Sequence, residues 1–344
     1  MKPSSICTRS IAAVVALSLA AIAAPSASAQ TTATTVPVGF ITKTIPAAPD
    51  ASTPSNTPLS IPLYQTADFQ SSVALTPAVG SHDIKLTSAA FGAGQFTGTP
   101  HLVRVKSGVL MGKFWTILSH TTDTLTVNEP NGGVPGNLTG LVASDSCEIL
   151  PANTFGTTFA NIAGLGTGTS VNGAGVDNVL VWNGVSFVAY FYHSTNNRWQ
   201  RGISNATNDI LFPDDTVFFV RKVTAALPIT LMGTVPSTTE RTELIGSSNN
   251  FIANRFPTDS TLGATGLENT AGWVKGTSVN GVDNVLLWNG VSFDAYFYHS
   301  TNNRWQKGIS NATAAPISAA TGFFVVRSAG TTDSVLSQNL PYTP

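Results

Sequence analysis

Two aspartates occupy matching places in the sequence and are the carboxylates best suited to paired acid–base chemistry. Asp177 and Asp283 each precede the strand-like run Asn-Val-Leu, 106 residues apart. A pair of carboxylates is what glycoside hydrolysis requires. Each aspartate also follows a Gly-containing stretch, where Asp is typical of a turn. The sequence therefore assigns no catalytic residue, and an extracellular hydrolase is the third of three functional hypotheses.

Metal ligands are not grouped in this sequence. A metal site usually needs clustered His, Cys or carboxylate side chains. The histidines are scattered at 82, 101 and 120, and His193 and His299 are two copies of one predicted turn position. The loops that precede Asp177 and Asp283 differ in length, so the two cannot share one calcium geometry. The sequence predicts no metal and no cofactor.

Aromatic residues are the main candidates for binding. Six of them recur in two sets and are predicted to contact a ligand or partner: Tyr190, Tyr192, Trp199, Tyr296, Tyr298 and Trp305. Flat rings with adjoining amides suit stacking on sugars, and Tyr and Trp also give large contact area at protein interfaces. The alternative is cross-strand packing within or between the two sets. The predicted partners are therefore a glycan, a protein surface or a second copy of the chain.

These rings belong to a long internal repeat. Residues 177–208 and 283–314 are identical at 28 of 32 positions. A period near one hundred residues is too long for a solenoid unit, so each copy is predicted to be a β module. The predicted boundaries are 151–238 for the first copy and 239–344 for the second.

Alternation within the repeat predicts two sheet faces. Asn183-Gly184 is typical of a two-residue type I′ turn, which places Leu180 opposite Phe187. The face that contains Leu180, Trp182 and Phe187 is predicted to be the core. The opposite face contains Tyr190 and Tyr192.

The Tyr face is predicted to be partly exposed because Asp294 replaces Val188 there in the second copy. An unpaired buried carboxylate would be costly. Trp199 shares this face if the turn after His193 has an even number of residues, and joins the core if the number is odd.

The composition favours strands over helices. Only 10% of residues are charged, against about 25% in ordinary globular domains. Many β-branched residues between Gly and Asn turns are typical of short strands. We predict an all-β fold of antiparallel sandwich or barrel-like modules. An N-terminal β region would span 30–150, with a small barrel-like part at about 71–150 and a turn at residues 131–133.

Charge and cysteine content restrict the function further. The net charge of −1 gives no reason to expect nucleic acid as a partner. Cys147 alternates with Ile149 and is predicted to be a buried, unreactive thiol. No disulfide is expected, because the only other cysteine, Cys7, lies in a predicted leader.

The first 29 residues are typical of a secretory signal peptide. Lys2 and Arg9 begin it, residues 11–24 are apolar, and Ala27-Ser28-Ala29 resembles a cleavage site. No later stretch reaches the roughly 18 apolar residues of a membrane span, so no transmembrane segment is predicted. The expected location is the periplasm, the cell surface or the medium.

The order of several motifs resembles an uncharacterised family of secreted verrucomicrobial proteins. These motifs are Val36-Pro37-Val38-Gly39-Phe40 after the leader, Gly112-Lys113-Phe114, and two copies of Ala-Tyr-Phe-Tyr followed by Trp. The resemblance implies export and architecture and carries over no site. The leading hypothesis is an exported, non-catalytic structural or interaction protein, and a carbohydrate-binding protein is the second.

Overall fold

The computed structural model describes residues 36–50, 52–130, 134–160 and 162–343. These residues form antiparallel β-sheets, together with the α-helix α1 (Phe155–Thr158) and two short 3-10 turns, Leu262–Thr265 and Leu267–Asn269. The predicted all-β fold is confirmed. The predicted signal peptide at 1–29 and the predicted turn at 131–133 lie outside the described residues.

The first two strands are β1 (Val38–Ile45) and β2 (Ser55–Ser60). A barrel-like sheet follows, which we call the barrel unit, residues 69–151. Its strands are β3 (Phe69–Ser72), β4 (Asp83–Lys85), β5 (His101–Val105), β6 (Phe114–His120), β7 (Thr124–Asn128) and β8 (Ser146–Pro151). They pair in the order β3-β8-β5-β6-β7-β4, and a bridge between Val73 and Leu86 joins the two edges.

Simple alternation builds the core of the barrel unit. In β7, Leu125 and Val127 point inward and are fully buried, while Thr124 and Thr126 face outward. Cys147 lies in the same core as Ile149 and is a free thiol. Burial raises the pKa of Cys147 to about 12. The predicted buried thiol is confirmed, and it is unreactive because almost none of it is ionised at neutral pH.

Each repeat copy builds a six-stranded sheet. The strands that follow the barrel unit are β9 (Asn178–Trp182), β10 (Phe187–His193), β11 (Arg198–Arg201), β12 (Ser204–Asn205), β13 (Thr216–Arg221) and β14 (Leu227–Thr234). The second set is β15 (Glu240–Leu244), β16 (Asn249–Ala253), β17 (Ser260–Thr261), β18 (Asn284–Trp288), β19 (Phe293–His299), β20 (Arg304–Lys307), β21 (Ser310–Asn311), β22 (Pro316–Ile317), β23 (Gly322–Val326) and β24 (Ser334–Gln338). The two sheet orders are β12-β11-β10-β9-β13-β2 and β16-β23-β18-β19-β20-β21.

The barrel unit is inserted into the first copy. β2 precedes the barrel unit in the chain, yet it is the edge strand of the first sheet, paired with β13. β1 likewise pairs with β14, as β15 pairs with β24 in the second copy. The first copy therefore consists of β1, β2 and β9–β14. The predicted boundary at residue 150 separates strands that share one sheet.

The hairpin between β9 and β10 has a longer turn than the sequence predicts. Trp182 pairs with Phe187, so the loop has four residues and the two-residue turn is wrong. The Asn183 carboxamide oxygen accepts hydrogen bonds from the backbone N–H groups of Val185 and Ser186, at 3.0 and 2.8 Å. This side-chain cap stabilises the wider turn. The register moves by two residues, so each residue keeps its face.

The second turn of the repeat has an even number of residues. His193 pairs with Arg198 and Tyr192 pairs with Trp199, which leaves four residues in the loop. Trp199 therefore shares the Tyr face, as the even alternative predicts. The second copy has the same pairing, Tyr298 with Trp305.

The Tyr face lines a core in both copies, so its predicted partial exposure is wrong. Val179, Tyr190 and Trp199 lie in the core of the first copy, together with residues of β1, β14 and α1. The covering strands are far away in sequence, so periodicity does not reveal them. Asp294 does not require exposure of this face, because its carboxylate lies 2.6 Å from Lys307 Nζ at the sheet margin.

The opposite faces of the two sheets pack on each other. Phe218, Phe251 and Phe324 are buried between them, against Trp182 and Trp288. The contact repeats with approximate two-fold symmetry: Trp182 Nε1 donates to the Asn249 carbonyl at 2.9 Å, and Trp288 Nε1 donates to the Asn56 carbonyl at 3.0 Å. The two copies thus form four layers. The outer layers are the two-stranded ribbons β1–β14 and β15–β24, and the inner layers are the two six-stranded sheets.

Candidate functional site: a cleft where three units meet

The six predicted aromatic residues lie in or against the two cores. Tyr190, Trp199 and Trp305 are at most 6% exposed, and Tyr192, Tyr296 and Tyr298 are half-buried. The Tyr190 ring stacks on Phe155 with centroids 4.2 Å apart. Trp199 and Trp305 meet Tyr192 and Tyr298 edge to face. The predicted exposure is wrong for Trp305, and partner binding by the set remains a prediction.

The two aspartates at matching positions are buried structural groups. Asp177 accepts hydrogen bonds from the backbone N–H groups of Gly166 and Lys222, at 2.7 and 2.8 Å, and pairs with Arg221. Asp283 accepts from Val274 and Ser328 and pairs with Arg327 at 3.2 Å. Their oxygens are occupied by protein donors. Neither carboxylate is free to hold calcium or to act on a sugar.

The histidines at the repeat turn accept hydrogen bonds from backbone N–H groups of the same turn. The His193 Nδ1 atom accepts a hydrogen bond from the Asn196 N–H at 3.2 Å. His299 Nδ1 accepts from Asn302 at 3.1 Å. Among the described residues, no group of three His, Cys, Asp or Glu side chains is placed to hold a metal ion.

A buried network of charges joins all three units at Glu240. The Glu240 carboxylate accepts hydrogen bonds from Arg104 of the barrel unit, from Arg255 of the second copy and from the Tyr64 hydroxyl at 2.6 Å. Arg104 also donates to Glu148 at 2.8 Å. Glu240 is fully buried, and both guanidinium groups are 1% exposed. Such a network holds its members in one geometry, because an unpaired buried charge costs several kcal/mol.

An open cleft of about 710 Å³ adjoins this network. Phe114 lines it and lies 5.8 Å from the Arg255 guanidinium. All three units contribute to its walls, with Lys113, Phe114 and Glu129 from the barrel unit, Trp182, Phe212, Asp214 and Asp215 from the first copy, and Arg241, Glu243 and Asn249 from the second. The volume lies within the range of ligand pockets, about 300–1,000 Å³.

Asp214 and Asp215 are adjacent carboxylates in the wall of the cleft. Their backbone is fixed to the second copy, because the Asp214 carbonyl accepts from the Ala253 N–H at 2.9 Å and Asp215 bridges to Ile252. Burial raises the pKa of Asp215, and the charge of Asp214 raises it further. Burial also raises the pKa of Asp214, although the Arg255 charge opposes this.

Some of the other charges in the cleft have partners. Lys113 Nζ lies 2.8 Å from Glu243 and 3.4 Å from Glu129. Asp333 accepts a hydrogen bond from the Gly246 N–H at 2.9 Å. Among the described residues, neither Asp214 nor Asp215 has a cationic side chain within 4.0 Å. The Arg255 charge lies close enough to lower the pKa of both aspartates, against the effect of burial, and Arg241 in the same cleft has no carboxylate within 4.0 Å among the described residues.

Sequence reasoning did not identify this cleft. Its walls come from segments more than one hundred residues apart, so no local motif marks it. One signal was available. Asp214-Asp215 is an adjacent acid pair in a chain with few charges, and the second copy has Ala320-Thr321 in its place. A charged pair in only one of two near-identical copies favours a local role.

Comparisons with protein-family models, with curated proteins and with solved structures find no match. Within the described part of the chain, no helix has the length and apolar character needed to cross a membrane.

Proposed function

We propose that this protein is an exported, non-catalytic interaction protein that holds its partner in the cleft between the three units. The supporting observation is the composite wall of the cleft, to which the barrel unit and both copies contribute. Pockets at the junction of domains are frequent ligand sites. The buried Glu240 network fixes the three walls relative to one another, so the cleft is preformed.

Export is part of the same proposal. It is supported by the charged start, apolar run and small-residue site of residues 1–29. The resemblance to secreted verrucomicrobial proteins agrees with it and implies no activity. Mass spectrometry of the native protein should find Gln30 as the N-terminus. Material that retains residues 1–29 would contradict export by this route.

The test of the interaction proposal is to block the cleft. Asn249 is exposed at its margin, and no hydrogen bond of its side chain contributes to the fold. Asn249→Trp should fill the cleft and abolish binding to isolated envelope polymers measured in a pull-down. Thr195→Trp, at an exposed turn outside the cleft, is the control. Equal binding by wild type and both variants would mean that the partner does not use the cleft.

Carbohydrate binding is the second candidate, and the cleft favours it over the six repeat aromatics. Trp182 and Phe212 are half-buried rings that line it, next to amides such as Asn249 and to carboxylates. Sugars are bound by stacking on rings and by hydrogen bonds to such polar groups. A glycan array should show binding that Asn249→Trp removes. An array without binding would leave only a protein partner.

A further inference from the structure

We infer that this protein forms a two-fold dimer in which β1 pairs antiparallel with β1 of a second copy of the chain. The ribbons β1–β14 of the two chains then join into one four-stranded sheet, in the order β14-β1-β1-β14. This inference goes beyond the function proposed above, because it assigns a second surface, its partner and the register of the contact.

One edge of β1 has backbone groups without a partner. In an antiparallel ladder, alternate residues direct both N–H and C=O to the neighbouring strand. The Val235 N–H donates to the Pro37 carbonyl at 2.9 Å, which fixes the alternation along β1 and β14. Four residues of β1 therefore direct their backbone groups away from β14: Val38, Phe40, Thr42 and Thr44. Within the described part of the chain, none of these groups bonds to another strand or loop.

The other edge of the ribbon is closed. At the end of β14, Thr234 exchanges two hydrogen bonds with the Tyr64 backbone, at 2.7 and 3.0 Å. Pro228 occupies an edge-facing position of the same strand, and proline has no N–H to donate. Proline and covering segments are devices that prevent pairing between sheet edges. β1 has neither, so its edge is the one available to a further strand.

The outward side chains of this ribbon suit a second copy. Val38 and Phe40 are each 74% exposed, and Met232, opposite Phe40 on β14, is 71% exposed. Exposed apolar side chains grouped in this way are typical of an interaction surface. The Thr42 hydroxyl is already bonded to the Thr230 hydroxyl at 3.0 Å. No side chain on this outward face is charged, so two copies of it can meet without repulsion between like charges.

One register uses all four edge-facing residues of β1. It pairs Val38 with Thr44 of the second copy and places Lys43 opposite Gly39, so no like charges face each other. Pairing of two identical antiparallel strands has two-fold symmetry, and each contact is made twice. The association therefore closes as a dimer, with the closed edges of β14 outermost.

The equivalent strand of the second repeat copy, β15, is covered within the chain. β1 and β15 each precede the edge strand of a six-stranded sheet and pair with the last strand of their repeat copy. The barrel unit contacts the outward face of β15, where Lys113 Nζ lies 2.8 Å from the Glu243 carboxylate. At the strand edge, Arg255 donates to the Arg241 carbonyl at 3.4 Å. The fold thus uses this face and edge as an interface once, and among the described residues β1 has no such cover.

The first test is sedimentation equilibrium of the mature protein, which should be a dimer at micromolar concentration. Thr42→Pro removes an edge-facing N–H and leaves the ladder with β14 intact. It should weaken dimerisation by about a hundredfold, the equivalent of two hydrogen bonds lost across the axis. Thr42→Val keeps the N–H and is the matched control, which should remain a dimer.

Two further variants separate edge pairing from stacking of the outward faces. Phe40→Lys places a charge on the free edge strand and should also give a monomer. Met232→Lys places the same charge on the same face but on β14, and should leave the dimer in place. Circular dichroism and a thermal melt of each variant show whether it is folded, and Phe40→Lys decides the question if Thr42→Pro is unfolded.

Disulfide cross-linking tests the register. A variant with both Val38→Cys and Thr44→Cys should form disulfides between two chains on mild oxidation. Within one chain the two positions are about 20 Å apart, too far for a disulfide. Each single variant is a control that should stay uncross-linked, and cross-linking of either one would overturn this register.

A monomeric wild type would overturn the dimer. A dimer that survives both Thr42→Pro and Phe40→Lys, or that Met232→Lys also dissociates, would overturn pairing through the β1 edge. These outcomes do not bear on the cleft, because its described lining includes no residue of β1. The Asn249→Trp experiment therefore decides the proposed function separately.

Discussion

The two repeat copies have the same order of strands in the six-stranded sheet and the same hairpin register, but they differ in what they carry. The first copy contains the barrel unit between β2 and β9, whereas the second has only residues 254–283 between β16 and β18. The first also has the acid pair Asp214-Asp215, where the second has Ala320 and Thr321. A duplicated sheet can thus accept an inserted domain and a charged wall without a change in its pairing. This is because the sheet is stabilised by its own ladder and two covered faces.

The largest effect is expected when the Glu240 carboxylate is removed, because this group joins the barrel unit to both copies. Glu240→Gln should lower the free energy of unfolding by about 3–5 kcal/mol, because Arg255 would be left as a buried, uncompensated charge and Arg104 would keep only Glu148. Chemical denaturation measures this. Glu243→Gln on the same strand is the control. Its side chain is 52% exposed, so the change should stay below about 1 kcal/mol. Similar costs for the two variants would mean that the network does not join the units.

A smaller loss of stability is expected from substitutions that test the symmetry of the interface between the copies. Trp182→Phe removes the hydrogen bond to Asn249 and part of the ring, and should cost about 1–2 kcal/mol. Trp288→Phe removes the equivalent bond to Asn56 and should cost slightly more, because that bond is less exposed. Denaturant midpoints of the two variants check this. A cost for one variant alone would break the two-fold relation.

Substitution of the acid pair Asp214-Asp215 should raise the free energy of unfolding, whereas the substitutions above lower it. Asp215→Asn should stabilise the protein at pH 7 by about 1 kcal/mol, as substitutions that relieve an unfavourable charge often do. The folded-state pKa of Asp215 is raised by burial and by Asp214, so the folded state binds its proton more readily than the unfolded state. Wild-type stability from this group should therefore rise as pH falls toward about 4, and this slope should be smaller in the variant, where Asp214 still contributes.

Thermal melts over this pH range measure the slope. Asp333 lines the same cleft, and Asp333→Ala removes the acceptor of the Gly246 N–H, so this substitution should be destabilising instead. Destabilisation by Asp215→Asn at pH 7 would show that the Asp215 charge is compensated in the folded protein.

The smallest effect is expected where the copies differ on the Tyr face. Asp294→Val installs the residue of the first copy and removes the ion pair with Lys307, which is 51% exposed. Since exposed pairs contribute about 0–1 kcal/mol and a valine would pack against the core, the net change should be within about 0.5 kcal/mol. A loss above 2 kcal/mol in a denaturation curve would mean that the second core depends on this carboxylate.

Much of the local structure could be predicted from the sequence. Cys147 is buried as its alternation with Ile149 indicates, in the core to which Leu125 and Val127 also belong. The turn after His193 follows the even alternative. The turn at Asn183 was predicted too short because an Asn-Gly pair favours a two-residue turn, while the Asn183 side chain here caps a four-residue one.

Prediction of the site was poorer than prediction of the strands. The six repeat aromatics were predicted as site residues and are largely buried. Phe212 and the acid pair were not predicted as site residues, yet they line the cleft. Repetition marks residues that both copies need, and both copies need a core. A site built once, at the junction with an inserted domain, leaves no repeated signal.

The sequence by itself determined the strand class, the duplication and which residues share a face, because these depend on side-chain periodicity and on residues close together in the chain. Only the tertiary structure decided which face is covered, since the covering strands β1, β14, β15 and β24 lie far from the repeat hairpins. It also decided that the barrel unit interrupts the first copy and that three units meet at Glu240. Burial is a property of all the segments that pack together, and one segment's pattern cannot specify its partner.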